Sequence, residues 1–245
     1  GVYWQRNPVY NELQFSPYHM NEATLGNYWD ALVEYRPAFI HGYPSAVDLL
    51  AEYALRHALP TDSLRLHAVL LGSEGLLPGQ RERIENAFHT RAYTWYGHSE
   101  RLILAGECES CDAYHHIPDY GILEMLDSDG RQVEPYGERA ELVGTGLLNR
   151  SLVLIRYRTG DWARRLPHQC QCGRAFDRFD RVEGRWRQEY LVGKNGSRIS
   201  LAALNMHGPC FQNVARYQYH QTTPGRMELR LMVADCFSPI DETRL

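Results

Sequence analysis

Soft metal ligands are concentrated in two short stretches of this sequence. Cys108 and Cys111 are separated by two residues, and Cys170 and Cys172 by one. His115 and His116 follow the first pair. Zinc takes four sulfur or nitrogen ligands in a tetrahedron, and two cysteines this close can bind one ion. In the reducing cytoplasm, close pairs are more often metal ligands than disulfides. The pattern therefore predicts a closed, structural zinc site, with scattered free thiols as the alternative.

Two other segments contain residue types that handle nucleotides. In Tyr96–Glu100 (YGHSE), the hydroxyl of Ser99 precedes the carboxylate of Glu100. A hydroxyl and a carboxylate at a strand end can hold a phosphate oxygen and Mg²⁺ together. In Tyr157–Asp161 (YRTGD), Asp161 follows a glycine turn and can accept two hydrogen bonds from a ribose diol. Taken alone, each segment is also compatible with a polar turn whose acidic side chain binds its own backbone.

A third segment combines arginine with glycine turns. Arg185 follows Gly184, and GKNGSRI follows at 193–199. An arginine at a domain junction can neutralise charge that develops on a phosphate, and glycine lets the backbone approach a ligand closely. A simple hairpin tip is the alternative for this segment.

The elements that position these segments alternate between helix and strand over the first 100 residues. Apolar spacing and capping signals predict helices over 22–35, after Pro44, and from Pro78 to Phe88. Val69 to Leu71 and residues 91–96 have the composition of short strands. This alternation predicts a parallel α/β layer.

The pattern changes after about residue 100 and again near Gly184. Ile122 to Leu126, Ala140 to Gly144 and Ser151 to Tyr157 are strand candidates, and turns separate the first two, which predicts an antiparallel region. Apolar residues alternate with polar ones in RMELRLMV, as in a strand of a small α+β domain. We therefore predict a domain over 1–184, with its β-rich zinc region after about 100, and a second domain over 185–245.

Composition excludes several classes of protein. The 26 basic and 30 acidic residues give a net charge of −4, whereas nucleic-acid and membrane-surface proteins need a concentrated basic face. No stretch approaches the roughly 18 apolar residues that span a bilayer, and no signal peptide begins the chain. We expect a cytoplasmic protein without nucleic-acid or membrane partners. The opening GVYWQRNPVY resembles the interior of a protein, so we also expect an N-terminal truncation.

The order of these segments resembles that of the adenylate-forming superfamily of acyl-CoA synthetases. That pattern is aromatic-Gly-x-Thr/Ser-Glu, then Tyr-Arg-Thr-Gly-Asp, then Gly-Arg and a glycine-containing hairpin that ends in Arg-Ile. FIHGYPSA, LLGSEGLLPGQ and the Cys-x-Cys-Gly-Arg stretch resemble, more narrowly, the phenylacetate-CoA ligases and their relatives in capsular polysaccharide clusters. The resemblance implies a partial N-terminal domain followed by the start of the C-terminal lid domain. It also implies that a carboxylic acid is activated with ATP and passed to a thiol, coenzyme A.

The resemblance implies direct roles in catalysis and nucleotide binding for several residues. Glu100 is expected to coordinate Mg²⁺, and Ser99 to contact the α-phosphate. Tyr96 is expected to stack on adenine, and Asp161 to hold the ribose hydroxyls. Arg185 is expected at the edge of the nucleotide, near the hinge between the two domains.

Three further groups follow from the same resemblance. The adenine site is expected to be lined by Gly72, Ser73 and Glu74, with Gly97 beside Tyr96. The acyl pocket is expected to be bordered by His41, Gly42 and Tyr43. The hairpin that moves in for thiol transfer is expected to contain Lys194, Gly196 and Arg198. For the zinc ion, the resemblance favours Cys108, His115, Cys170 and Cys172, with Cys111 as a spare or alternative ligand.

The sequence also departs from the family pattern. The Ser/Thr/Gly-rich phosphate loop that ends in lysine has no counterpart in residues 1–90, and the late catalytic lysine would lie beyond Leu245. The hinge position, usually Asp or Lys, aligns near Arg187. We therefore expect little or no ligase activity from this chain alone. The alternative function is a non-catalytic, zinc-stabilised binding module descended from such an enzyme. A zinc hydrolase is disfavoured because no His-Glu-x-x-His helix is present.

Overall fold

The computed structural model describes residues 2–184, 190–194, 198–201 and 213–244. The chain divides into two compact units, Gly1–Arg185 and Trp186–Leu245. In the described residues, no helix has both the length and the apolar composition to cross a membrane.

The first unit begins with an antiparallel hairpin, β1 (Trp4–Asn7) and β2 (Glu12–Phe15), followed by a 3₁₀ turn over Pro17–His19 and helix α1 (Leu25–Tyr35). Tyr28 of α1 is fully buried and donates its hydroxyl to the carbonyl of Ser16 at 2.8 Å. Its ring lies 5.3 Å from that of Phe15. The aromatic opening of the sequence therefore forms a hairpin that covers α1, an element that the sequence analysis did not predict.

Three parallel strands form one end of a nine-stranded sheet. Strand β3 (Phe39–Gly42) leads through α2 (Pro44–Arg56) and a 3₁₀ turn at Thr61–Leu64 to β4 (Ala68–Leu71), and α3 (Gln80–Phe88) leads to β5 (Ala92–Gly97). Pro44 occupies the first position of α2, where its missing N–H costs nothing. The predicted parallel α/β layer is confirmed. Its core contains Leu50, Val69, Leu71, Ile84 and Phe88.

The remaining six strands of the sheet are antiparallel. They are β6 (Leu104–Cys108), β7 (Cys111–His116), β8 (Gly121–Leu126), β9 (Arg139–Gly146), β10 (Tyr157–Leu166) and β11 (Arg178–Phe179). The strand order is β3-β4-β5-β6-β7-β11-β10-β9-β8. A second core includes Leu102, Ile103, Leu142 and Phe179, and Gly144 packs directly on Leu102 and Ile103. The sheet therefore curls around this core and brings distant strands together.

The predicted strand over Ser151 to Tyr157 is wrong for most of its length. Strand β10 begins at Tyr157, and the preceding residues form a turn. The side chain of Asn149 accepts hydrogen bonds from the amides of Ser151 and Leu152, and Arg156 has a φ of 48°. A side chain that binds its own backbone competes with the strand ladder, which explains the turn.

The second unit contains two short antiparallel sheets and one helix in its described part. Strands β12 (Tyr190–Val192) and β13 (Arg198–Ser200) pair, as do β14 (Val214–Thr223) and β15 (Arg226–Val233), and α4 covers Pro239–Arg244. The side chain of Gln221 bonds both the amide and the carbonyl of Val192 and so joins the two sheets. The predicted strand at RMELRLMV is confirmed.

Candidate functional site

The carboxyl ends of the parallel strands meet at one edge of the sheet, where ligands bind in open α/β folds. The amide of Gly72 donates to the carbonyl of Gly42 at 3.3 Å. The exposed His41 ring lies 5.0 Å from the ring of Trp95. The structure thus brings two of the predicted acyl-pocket residues next to Gly72. Trp95, which the sequence analysis treated as an ordinary strand residue, also belongs to this edge.

Gly72 is required by the close approach of Trp95. A β-carbon added at this position would overlap ring carbons of Trp95. We expect Gly72→Ala to lower the free energy of unfolding by about 1–3 kcal/mol, because the indole must move. Urea denaturation measures this loss. Gly106→Ala is the matched control, since its added methyl group meets nothing within 4 Å. A loss at Gly72→Ala no larger than at Gly106→Ala would contradict the steric explanation.

Glu74 faces helix α2. Its carboxylate accepts the backbone amide of Ser45 at 3.0 Å and the Ser45 hydroxyl at 3.1 Å. It therefore caps the first turn of α2. A negative charge there also interacts favourably with the positive end of the helix dipole. Burial raises the pKa of Glu74, and the bonds from Ser45 oppose this rise. The neighbouring Ser73 has a φ of 68°, which places it in the left-handed region. Tyr43 is the residue before Pro44 and supplies the first carbonyl of α2.

Tyr96, His98 and Asp161 form a hydrogen-bonded cluster, although 65 residues separate Tyr96 from Asp161. The Tyr96 hydroxyl donates to Asp161 Oδ2 at 2.8 Å. His98 Nε2 lies 3.0 Å from the Tyr96 hydroxyl and 3.7 Å from Asp161 Oδ2. Two of the segments that the sequence analysis associated with nucleotide binding therefore meet. His98, which the family pattern leaves unspecified, lies between them.

A β-bulge directs Asp161 toward this cluster. The register between β9 and β10 shifts between Arg158 and Trp162, and Gly160 has a φ of 74°. The buried Glu141 pairs with the Arg158 guanidinium and accepts the Gly160 amide at 3.1 Å. Bulges commonly redirect a side chain at the rim of a sheet. The conformation of Tyr157–Asp161 thus depends on Glu141, a residue outside the motif.

The remaining predicted residues lie in or after β5, in the second unit, or outside the described residues. Ser99 and Glu100 are exposed in the turn after β5, and the Glu100 carbonyl accepts the side chain of Asn149 at 3.1 Å. Gly97 ends β5. Lys194 is exposed in the second unit, and the backbone at position 198 begins β13. Arg185 and Gly196 lie outside the described residues, as does the position aligned with the hinge, Arg187.

A buried ion pair stabilises strand β5. The Glu107 side chain is 2% exposed, and its Oε1 lies 2.5 Å from Arg81 Nη2. The amide and hydroxyl of Thr94 donate to the same carboxylate at 3.1 and 2.6 Å. The Thr94 hydroxyl also lies 2.8 Å from that of Tyr114. Glu107 therefore ties α3 to β5 and β6.

The cysteine pairs come together at the other end of the antiparallel region. Cys108 and Cys111 flank the turn between β6 and β7, and their sulfurs lie 3.4 Å apart. Cys170 Sγ lies 3.7 Å from Cys108 Sγ. The ligand atoms of Cys108, His115, Cys170 and Cys172 all lie within 4.8 Å of one another. This spacing and donor chemistry fit a closed tetrahedral zinc site.

Local electrostatics differ between the members of this cluster. Burial raises the pKa of Cys108 to about 12, so a thiolate there needs a nearby cation. The backbone amide of Cys172 lowers the pKa of Cys170 to about 7. Burial, together with the charges of Arg178 and Arg174, lowers the pKa of His115. A zinc ion bound here would supply the positive charge that such a group of sulfurs needs.

Comparison with known proteins finds relatives of the kind that the sequence motifs predict. No family model matches the chain. It is 29% identical to the phenylacetate-coenzyme A ligase of Thermus thermophilus over 83% of its own length and 47% of that relative. The chain resembles the phenylacetate-CoA ligases. The predicted resemblance is therefore confirmed at the level of sequence.

The chain is also similar in sequence to a second kind of relative, and it shares its fold with a solved CoA ligase. The chain is 26% identical to Protein CapK of Staphylococcus aureus over 65% of its length and 34% of that protein. A crystal structure of 2-hydroxyisobutyryl-CoA ligase in complex with 2-HIB-AMP and CoA matches 92% of the chain and 50% of the ligase. The TM-score is 0.61 at 20% identity, which shows a shared fold. The chain therefore shares its mixed α/β fold with this CoA ligase. The chain spans about half the length of the Thermus thermophilus ligase and about a third of the length of Protein CapK.

Proposed function

We propose that this chain is part of an ATP-dependent acid–thiol ligase that forms an acyl-adenylate and then an acyl-CoA thioester. The observation that carries the proposal is the meeting of Asp161 with Tyr96 and His98. Glu100 follows His98 by two residues, so a Mg²⁺-binding carboxylate would adjoin a ribose-binding one. The sequence similarity to phenylacetate-CoA ligases supports the same reaction class.

The roles of the residues follow from the chemistry of the cluster. Asp161 would accept the ribose hydroxyls, and Tyr96 holds its Oδ2 in a fixed orientation through a 2.8 Å hydrogen bond. Glu100 would bind Mg²⁺, and Ser99 would contact the α-phosphate. Mg²⁺ would neutralise phosphate charge when bound, and the aligned substrate carboxylate would attack the α-phosphorus as its bond to the β-phosphate oxygen breaks and pyrophosphate leaves. Arg185 would add positive charge at the edge of the nucleotide.

The remaining groups define the substrate side and the lid. His41, Gly42 and Tyr43 would border the pocket for a small carboxylic acid. Gly72, Ser73, Glu74 and Gly97 would line the adenine site. The second unit would be the start of the lid domain, and its hairpin would contain Lys194, Gly196 and Arg198. Coenzyme A would be the acyl acceptor, and the protein would work in the cytoplasm.

We also propose that the cysteine cluster holds one structural zinc ion. The cluster ties the β6–β7 turn to the loop before β11, and the shortest sulfur distance between the two segments is 3.6 Å. A closed set of four ligands leaves no position for a substrate, so the ion would stabilise the fold without taking part in catalysis.

ATP–pyrophosphate exchange tests the proposed reaction. We expect the full product of the gene that encodes this chain to catalyse exchange with a carboxylic acid, and this chain alone to show little or none. Asp161→Asn in the full product should raise the KM for ATP about 10- to 100-fold, because hydrogen bonds to a charged group contribute about 1.5–3 kcal/mol each. Asp119→Asn, at an exposed turn of the same unit, is the matched control.

Each outcome has a distinct meaning. Unchanged kinetics for Asp161→Asn would contradict the ribose role. Robust exchange by this chain alone would contradict the need for a further phosphate-binding loop. A full product that binds zinc but neither binds ATP nor catalyses exchange with aryl or aliphatic acids would favour the non-catalytic binding module.

A further inference from the structure

His98 occupies the position of Tyr96–Glu100 that the family pattern leaves open, and none of the roles proposed above belongs to it. Its side chain is 14% exposed, as is that of Asp161, so little water reaches the contacts between them. Hydrogen bonds in such surroundings orient their partners more strongly than hydrogen bonds in water do. The contacts of His98 therefore bear on how the proposed nucleotide site is held.

The hydrogen bonds around Tyr96 fix the direction in which protons are donated. A tyrosine hydroxyl carries one proton, and Tyr96 donates it to Asp161 Oδ2 at 2.8 Å. His98 Nε2, which lies 3.0 Å from the same hydroxyl, must then be the donor of the second bond. His98 Nδ1 is buried and has no hydrogen-bond partner among the described residues, which fits a ring nitrogen without a proton, because buried N–H groups are seldom left unpaired. The three side chains therefore form a chain of donors that runs from His98 through Tyr96 to Asp161.

Two ring contacts restrict the orientation of Tyr96. Its ring centroid lies 4.9 Å from that of His98, with an angle of 82° between the ring planes. The fully buried Phe179 makes a second edge-to-face contact with Tyr96, at 6.0 Å and 88°. Edge-to-face pairs contribute beyond the area that they bury. The ring proposed to stack on adenine is therefore held in one orientation by His98 and Phe179.

The backbone of His98 belongs to the turn after β5. Its carbonyl accepts the amide of Arg101 at 3.0 Å and closes the turn that contains Ser99 and Glu100. The side chain of His98 is bonded to Tyr96 at the same time. One residue thus connects the groups proposed to bind adenine and ribose with the turn proposed to bind phosphate and Mg²⁺.

We propose that His98 is a positioning residue that orients Tyr96 and Asp161 for ATP by donating from Nε2 to the Tyr96 hydroxyl. This role rests on the proposed ligase function and deepens it. Side chains that are oriented before a ligand arrives lose less conformational freedom when it binds. The bonds of this chain are the same in the ground state and the transition state, so His98 should affect the KM for ATP and leave kcat nearly unchanged.

ATP–pyrophosphate exchange by the full product of the gene tests this role. We expect His98→Leu to raise the KM for ATP about 3- to 10-fold, the typical contribution of one hydrogen bond between neutral groups, with kcat within about 2-fold. His98→Gln keeps an N–H donor and should raise the KM less than about 2-fold. His57→Leu is the matched control, because the His57 ring also lies near a carboxylate, Glu22, at 3.4 Å, but at the exposed carboxyl end of α2.

The Tyr96→Phe variant separates the hydrogen-bonded chain from simple packing, because it keeps the ring and removes the hydroxyl. We expect Tyr96→Phe alone to raise the KM about as much as His98→Leu does. In the Tyr96→Phe background, His98→Leu should add less than about 2-fold, since residues that act through one bond are not additive. An equal effect of His98→Leu in both backgrounds, or an equal loss with His98→Gln, would overturn the positioning role. If His98→Leu fails to fold, an unchanged KM for Tyr96→Phe overturns it instead.

The parent protein separates this role from the proposed function. A full product that neither binds ATP nor catalyses exchange would overturn both. An active parent whose KM for ATP is unchanged by His98→Leu would overturn only the role of His98.

Discussion

Glu107→Ala is expected to lower the free energy of unfolding by about 3–5 kcal/mol, because it removes one partner of a buried ion pair. The Glu107 side chain is 2% exposed and binds Arg81 through both carboxylate oxygens. It also accepts the amide and hydroxyl of Thr94. The substitution would leave a guanidinium that is 21% exposed without its nearest carboxylate, and the Thr94 amide without its acceptor. Urea denaturation of the isolated chain measures the loss.

A matched control separates burial from ion pairing as such. Glu22 and Arg56 form a comparable pair at 2.8 Å, but their side chains are 60% and 47% exposed. We expect Glu22→Ala to leave stability nearly unchanged, because water screens exposed pairs. A loss of stability at Glu107→Ala as small as that at Glu22→Ala would contradict this prediction. It would show that water replaces the lost carboxylate and that the Glu107 network does not stabilise β5.

Removal of zinc is expected to destabilise the first unit by several kcal/mol. The ion would join segments 62 residues apart, and a cross-link that closes a loop of this length restricts the unfolded chain by about 4 kcal/mol. Peptides that lack a core of their own gain more, roughly 10 kcal/mol or above. We expect one zinc per chain by elemental analysis and a lower melting temperature after chelation, with recovery when zinc is returned.

Variants locate this effect within the chain. Cys170→Ser should reproduce the lower melting temperature and make it insensitive to chelator. Cys236→Ser, at an exposed thiol of the second unit, should keep the zinc and the stability of the parent. A metal-free sample with unchanged thermal stability would show that the cysteine cluster does not act as a clamp.

Local chemistry in the sequence predicted much of the fold. Helix α2 begins at Pro44, as its turn and apolar spacing indicated, and β15 follows the alternation of RMELRLMV. The failure at Ser151 to Tyr157 has a physical cause. An apolar stretch has the composition of a strand, but the Asn149 side chain binds the amides that a strand would need for its ladder.

The sequence by itself determined which residue types are present and the order of the motifs, and from these came the resemblance to phenylacetate-CoA ligases. It also determined the two close cysteine pairs, because two metal ligands within one short segment are visible from their spacing alone. Only the tertiary structure decided which segments meet. Tyr96 reaches Asp161 because the sheet curls around its second core and a bulge at Gly160 turns the aspartate inward. Likewise, Arg178 donates a hydrogen bond to the sulfur of Cys111, although the two residues are 67 positions apart. No local sequence pattern encodes this contact.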